Sequence, residues 1–231
     1  MMNEATTPVL TWPWGLSVVC LLAVALLLWA DRAGWSLGRA AAKTGASTCF
    51  VSVAWALDAQ ATPYGRLILL ALMLSWLGDV LLLASRFQWA FLAGLAAFLL
   101  AHVTFAIAFA RAGVMGGAVV LATVPAVAVG WFVLRWLKPH LSPAFRLPVV
   151  AYVCAIMVMC VLAVAHAVSS AAWMVLLGAM LLAASDVSVA RDQFVCNAFV
   201  NRLWGWPTYF VAQLLLAWSV WAHRLTTGGV G

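Results

Sequence analysis

The sequence predicts an all-α integral membrane protein, a bundle of eight transmembrane helices, and three observations carry that prediction. Of 231 residues, 67% are hydrophobic and 8% charged, where soluble domains run at about 45–50% and about 25%. The apolar residues fall into eight runs of roughly 20 residues, the length a helix needs to cross the hydrocarbon core of a bilayer. The breaks between the runs hold most of the charges and several of the prolines and glycines. A water-soluble protein with one core is excluded. Because the breaks are short, the whole chain, 1–231, is expected to form a single polytopic membrane domain.

The first span, 14–30, follows Glu4 with no Lys or Arg ahead of it. The basic region of a cleaved signal peptide is missing, so this span is expected to be retained. The second, 41–57, lies between Arg39 and Asp58 and carries Lys43 near its start. The third, 67–84, is bounded by Arg66 and Arg86, and the fourth, 89–110, runs up to Arg111. The fifth, 117–136, contains Pro125, the main internal proline, and stops before Lys138. The sixth, 147–167, follows Arg146, the seventh, 173–190, ends at Arg191, and the eighth, 206–222, ends before Arg224. Trp14, Trp35, Trp89, Trp136, Trp204, Trp206 and Trp221 fall near span ends, where amphipathic rings favour the interface.

The net charge of +6 comes from basic residues scattered singly between apolar runs. That pattern marks topology and lacks the basic patch of a nucleic-acid binder. Nine of the 12 Lys and Arg lie in the connections after the first, third, fifth and seventh spans. The positive-inside rule puts that side in the cytoplasm and both termini outside. The expected location is a bacterial inner membrane. Five cysteines without a CxxC pair read as free, buried thiols.

Asp79 and Asp186 are the only acidic residues within spans, where a central charge costs about 2.5–3.5 kcal/mol on insertion scales. Gly78-Asp79-Val80 and Ser185-Asp186-Val187 are each followed by a Phe at the same spacing, Phe87 and Phe194, and the two Asp stand 107 residues apart. They sit at matching points of the third and seventh spans, consistent with two parallel four-helix halves. Counted along the helices, Lys43, Tyr152, Tyr209 and Gln213 fall in the same layer, while His102 is deeper, about 20 Å along its span. These groups point to one pocket open to the positive face. A lone intramembrane Tyr or Gln also serves as an interhelical hydrogen-bonding group, and Lys43 also reads as a snorkelling side chain.

No HxxxH or HExxH motif supplies a metal site, and GxSxG, GxGxxG and Walker motifs are absent. No metal and no cofactor is expected. Two carboxyls sharing a low-dielectric pocket cannot both ionise easily, so one is expected to be protonated and the other charged, an acid and a base in one place.

Trp76-Leu77-Gly78-Asp79-Val80, the following Phe91, Gly94, Phe98 and Ala101-His102, then Ala184-Ser185-Asp186 and Tyr209-Phe210-Val211-Ala212-Gln213 resemble the GD, AH, SD and YxxAQ series of the YhhN family of integral membrane proteins, whose animal members are lysoplasmalogenases. Pro148, Tyr152 and Met159 fall where that family has a Pro, a Tyr and a Met. Lys43-Thr44 departs from a Lys-Pro pair, and Phe105 replaces an aromatic hydroxyl. The resemblance implies an ether hydrolase that cleaves the vinyl ether of lysoplasmalogens to a fatty aldehyde and a glycerophosphoethanolamine or glycerophosphocholine. It implies Asp79 and Asp186 as the catalytic pair, with Lys43, His102, Tyr152, Tyr209 and Gln213 binding substrate or supporting them. Lys43 would attract the substrate phosphate. The expected partners are a lysophospholipid and the bilayer. A proton-coupled transporter is the alternative, since paired midmembrane carboxylates also fit alternating access. An intramembrane aspartyl protease is disfavoured, because Trp76 stands where its GxGD signature needs a glycine.

Overall fold

Apolar runs too long and too sparsely charged to leave their backbone unpaired in lipid must close their hydrogen bonds within helices, and the chain does so almost throughout. The computed structural model describes residues 7–227. Among them are eight α-helices: α1 (Thr7–Arg32), α2 (Ser36–Ala56), α3 (Pro63–Leu82), α4 (Gln88–Arg111), α5 (Gly116–Leu137), α6 (Pro143–Ser170), α7 (Trp173–Ala190) and α8 (Phe199–Thr227). Short 3-10 turns follow α2 and α5, and a π-helical turn, Arg191–Val195, extends α7. No strand occurs among the described residues.

Six helices, α1 and α3 to α7, are long and apolar enough to cross a membrane. The other two, α2 and α8, fall short because they carry the polar residues that turn inward: Lys43, Thr44 and Ser47 on α2, and Asn201, Arg202 and Gln213 on α8. Helix starts also differ from the apolar spans. Thr62 caps α3, its hydroxyl accepting from Gly65 N at 3.0 Å, with Pro63 at the first position where no N–H is missed. By the same preference α6 begins at Pro143. As α1, α6 and α8 begin well before their apolar runs, Pro13, Pro148 and Pro207 lie inside helices. Pro125 is therefore one internal proline of four, a correction to the sequence reading: hydropathy does not register the polar first turns of a helix.

Consecutive helices pair, α1 with α2, α3 with α4, α5 with α6 and α7 with α8. The bundle is closed by α4 against α6, α2 against α3 and α8, α6 against α7, and α1 against α8. Phe50, Phe105, Phe109, Phe210, Leu72 and Leu216 form the buried centre. Small residues permit the close approaches, as usual where helices pack in lipid: a Cβ on Gly78 would meet the Phe98 ring at 2.6 Å. Leu22, Leu121, Val124, Phe132 and Leu147 face outward, as they would toward acyl chains. Helix α5 is the most peripheral, packing chiefly on α6 with 11% of its apolar window buried.

Candidate active site

Each intramembrane aspartate is held by the helix before it and by a helix from the other half of the chain. Asp79, near the end of α3, receives Lys43 Nζ at 3.1 Å on Oδ1. Its Oδ2 accepts hydrogen bonds from Ser47 Oγ at 2.5 Å and from the Tyr209 hydroxyl at 2.8 Å. Lys43 and Ser47 stand one helical turn apart on α2, so both reach the same carboxylate, and Tyr209 comes from α8. Asp186, near the end of α7, accepts from the Tyr152 hydroxyl of α6 at 2.9 Å on Oδ1. Its Oδ2 lies 3.0 Å from His102 Nε2 of α4. The other ring nitrogen of His102 is 2.6 Å from Phe98 O. A carbonyl only accepts, so Nδ1 carries a proton.

The 107-residue offset that relates Asp79 to Asp186 also relates His102 to Tyr209. Each of these last two meets the Asp of the opposite half. An aromatic edge joins the two clusters, Phe98 meeting Tyr209 with centroids 6.0 Å apart, and within the Asp186 cluster His102 meets Tyr152 at 5.2 Å.

Both carboxyls line one cavity of about 270 Å³. Lys43, Tyr152 and Tyr209 share its wall, which is otherwise almost entirely apolar. Asp79 is 3% and Asp186 12% exposed at the side chain, so the site is dry but not sealed. Val129 of α5 and Val187 and Val189 of α7 line the cavity and are also exposed on the outer surface. The cavity thus reaches the lipid-facing side between α5 and α7. At one end the π turn carries Phe194 into the wall, where it meets Phe91 at 5.8 Å and Phe145 at 5.6 Å. Such π turns recur at functional sites.

Five of the seven predicted residues, Lys43, Asp79, Tyr152, Asp186 and Tyr209, line this cavity, and His102 stands behind Asp186. Lys43 does not snorkel. Its ammonium meets Asp79 at 3.1 Å. His102 reaches Asp186 although its count along α4 made it deeper, because helix axes in a bundle cross and residue counts from helix ends do not convert directly into depth. Gln213 sits behind the wall, fully buried one turn beyond Tyr209 and beside its hydroxyl. Among the described residues neither of its amide atoms completes a hydrogen bond. Ser47 was missed, although its position four residues after Lys43 is a readable signal. All five cysteines are free, but Cys154 and Cys196 are exposed, which corrects the reading of five buried thiols: Cys154 faces out from α6 and Cys196 follows the π turn. Among the described residues no three His, Cys, Asp or Glu side chains converge as metal ligands would.

The profile of the YhhN family matches residues 38–220, which include every residue of this site. The chain belongs to the YhhN family. This YhhN protein is 32% identical over 173 residues to a protein named lysoplasmalogenase from Mycobacterium tuberculosis (strain CDC 1551 / Oshkosh), covering 72% of the chain and 66% of that relative. It is 31% identical over 216 residues to lysoplasmalogenase TMEM86B of Rattus norvegicus, covering 92% of the chain and 87% of the relative. To lysoplasmalogenase TMEM86B of Homo sapiens it is 32% identical over 171 residues, 74% of the chain and 70% of the relative. The match therefore spans about two thirds of the mycobacterial relative's length. No solved structure matches the chain significantly.

Proposed function

We propose that this YhhN protein is a lysoplasmalogenase-like hydrolase that cleaves the vinyl ether of alkenyl glycerophosphoethanolamine or glycerophosphocholine. The observation that carries the reading is the pair of aspartates on one apolar cavity that reaches the lipid-facing surface. The apolar wall suits an alkenyl tail, and the opening between α5 and α7 suits a substrate arriving from the bilayer. The names of the relatives support the same chemistry.

In this mechanism one carboxylic acid protonates the vinyl carbon distal to the ether oxygen. The oxocarbenium ion that forms is stabilised by the remaining carboxylate in a site with little water. Water adds to give a hemiacetal, which collapses to the aldehyde and the glycerophospho-base. No cofactor takes part. The proposal includes one polytopic domain of two parallel four-helix halves in a bacterial inner membrane. All eight helices cross, α2 and α8 shielded by the others, and both termini lie outside.

The test is product analysis with purified protein and an alkenyl lysolipid in mixed micelles. Aldehyde release is expected, and Asp79→Asn and Asp186→Asn should each lower kcat by about 10²-fold or more. Full activity in either variant would remove the two-Asp mechanism. Solute movement into liposomes without lipid hydrolysis would assign the carboxyls to transport instead.

A further inference from the structure

The two aspartates occupy corresponding positions but keep different company. Everything that meets Asp79 favours its charged form: the Lys43 ammonium at 3.1 Å, and two hydroxyls donating to Oδ2. A neutral Asp79 would leave Lys43 as an unmatched cation in the interior.

At Asp186 the reverse holds. The proton on His102 Nδ1 is committed to Phe98 O, so a neutral His102 turns the lone pair of Nε2 toward Oδ2, 3.0 Å away. Two lone pairs at that distance repel, and one proton must lie between them. Neither atom completes a hydrogen bond elsewhere among the described residues. The ionisable groups around Asp186 are His102 on α4, Tyr152 and Cys160 on α6 and, on the same cavity, Asp79 on α3, Lys43 on α2 and Tyr209 on α8. The one permanent cation among them, Lys43, is already matched by Asp79 at 3.1 Å. A separated imidazolium and carboxylate would be poorly solvated there.

We infer that Asp186 is the proton donor, its O–H held by His102 as a positioning residue, and that Asp79 is the carboxylate of the resting site. The chemistry rests on the hydrolase reading above. When the Asp186 O–H turns from His102 Nε2 to the substrate, its proton passes to the distal vinyl carbon, whose π pair forms the new C–H bond and leaves an oxocarbenium ion beside Asp79. Water adds to that cation and gives a proton to Asp79. On collapse the hemiacetal O–H proton goes to Asp186, the C–O pair leaves with the glycerol oxygen, and Asp79 returns its proton to that oxygen. Both groups are restored and no redox partner is needed.

The experiment is infrared spectroscopy of the purified protein in H2O and D2O, read at the deuterium-sensitive C=O band of a buried protonated carboxyl. The band should be present in wild type, survive Asp79→Asn and vanish in Asp186→Asn, while Asp186→Glu keeps it at a displaced position. In His102→Leu the band should move to higher wavenumber, since the O–H loses its acceptor, and His102→Gln should bring it back toward the wild-type position. Absence of the band in wild type, or its loss in Asp79→Asn with retention in Asp186→Asn, overturns the assignment. The band is read without substrate, so missing aldehyde release alongside the expected spectra would sink the hydrolase reading and leave the assignment standing.

Discussion

Lys43 and Asp79 show how a single residue links stability to chemistry. Both are largely removed from solvent, at 11% and 3% side-chain exposure, and 3.1 Å apart. Removing one member of such a pair strands the other and costs about 3–5 kcal/mol. Lys43→Met should therefore lower unfolding stability in detergent by that order, measured by chemical denaturation. The double variant Lys43→Met with Asp79→Asn should recover most of the loss while remaining inactive, because the uncompensated charge is gone. Gly205 makes a different demand. A Cβ there would fall 2.0 Å from Ser188 Oγ and 2.6 Å from Ser188 Cβ, and that hydroxyl donates to Asn201 O at 2.6 Å. Gly205→Ala should destabilise by about 1–3 kcal/mol, read as a lower Tm, since the fault is overpacking between α7 and α8.

At the scale of elements, the junction of α7 and α8 is held by charge. Arg202, on the first turn of α8, meets Asp192 of the π turn and Asp31 at the end of α1, both at 2.9 Å. The Asp192 carboxylate also accepts from Ala198 N at 3.1 Å and Asn201 Nδ2 at 3.2 Å. These contacts explain why α8 begins at Phe199, ahead of its apolar run, and they fix the turn that carries Phe194 into the cavity. Because Arg202 is partly exposed, its ion pairs are screened and its loss should cost only about 1 kcal/mol. Arg202→Gln is expected to lower the Tm slightly and to raise the KM for lysolipid more than it lowers kcat, checked by steady-state kinetics.

At the scale of the whole molecule, the cavity and the orientation make separate predictions. Val133 of α5 lines the cavity, and α5 is packed mainly on α6. Val133→Trp should fill part of the roughly 270 Å³ space and reduce turnover of long alkenyl chains more than short ones, measured on a chain-length series. Orientation is readable at Cys196, exposed beside the basic end of α7. A membrane-impermeant thiol reagent should label it in inside-out vesicles and not in sealed right-side-out cells. The opposite result would invert the topology derived from the positive-inside rule.

Much of this protein was legible in its residues because lipid is a demanding solvent. Long apolar runs admit helices alone, so the all-α class, the helix order and the approximate helix positions followed from hydropathy. The expense of an unpaired charge in lipid singled out Asp79 and Asp186 and the polar residues near them. Hydropathy is blind to the polar turns that lengthen α1, α6 and α8, and it ranks α2 and α8 low because their polar faces are buried among other helices. Pairing is a tertiary matter. Nothing along the chain says that Lys43 and Tyr209 go to Asp79 while Tyr152 and His102 go to Asp186, for those contacts join helices up to 130 residues apart. Their geometry depends on how α2 and α8 close against α3, and α4 and α7 against α6. That packing, set by small residues such as Gly78 and Gly205 and by the clamp at Arg202, decided which carboxylate faces a fixed cation and which faces a histidine.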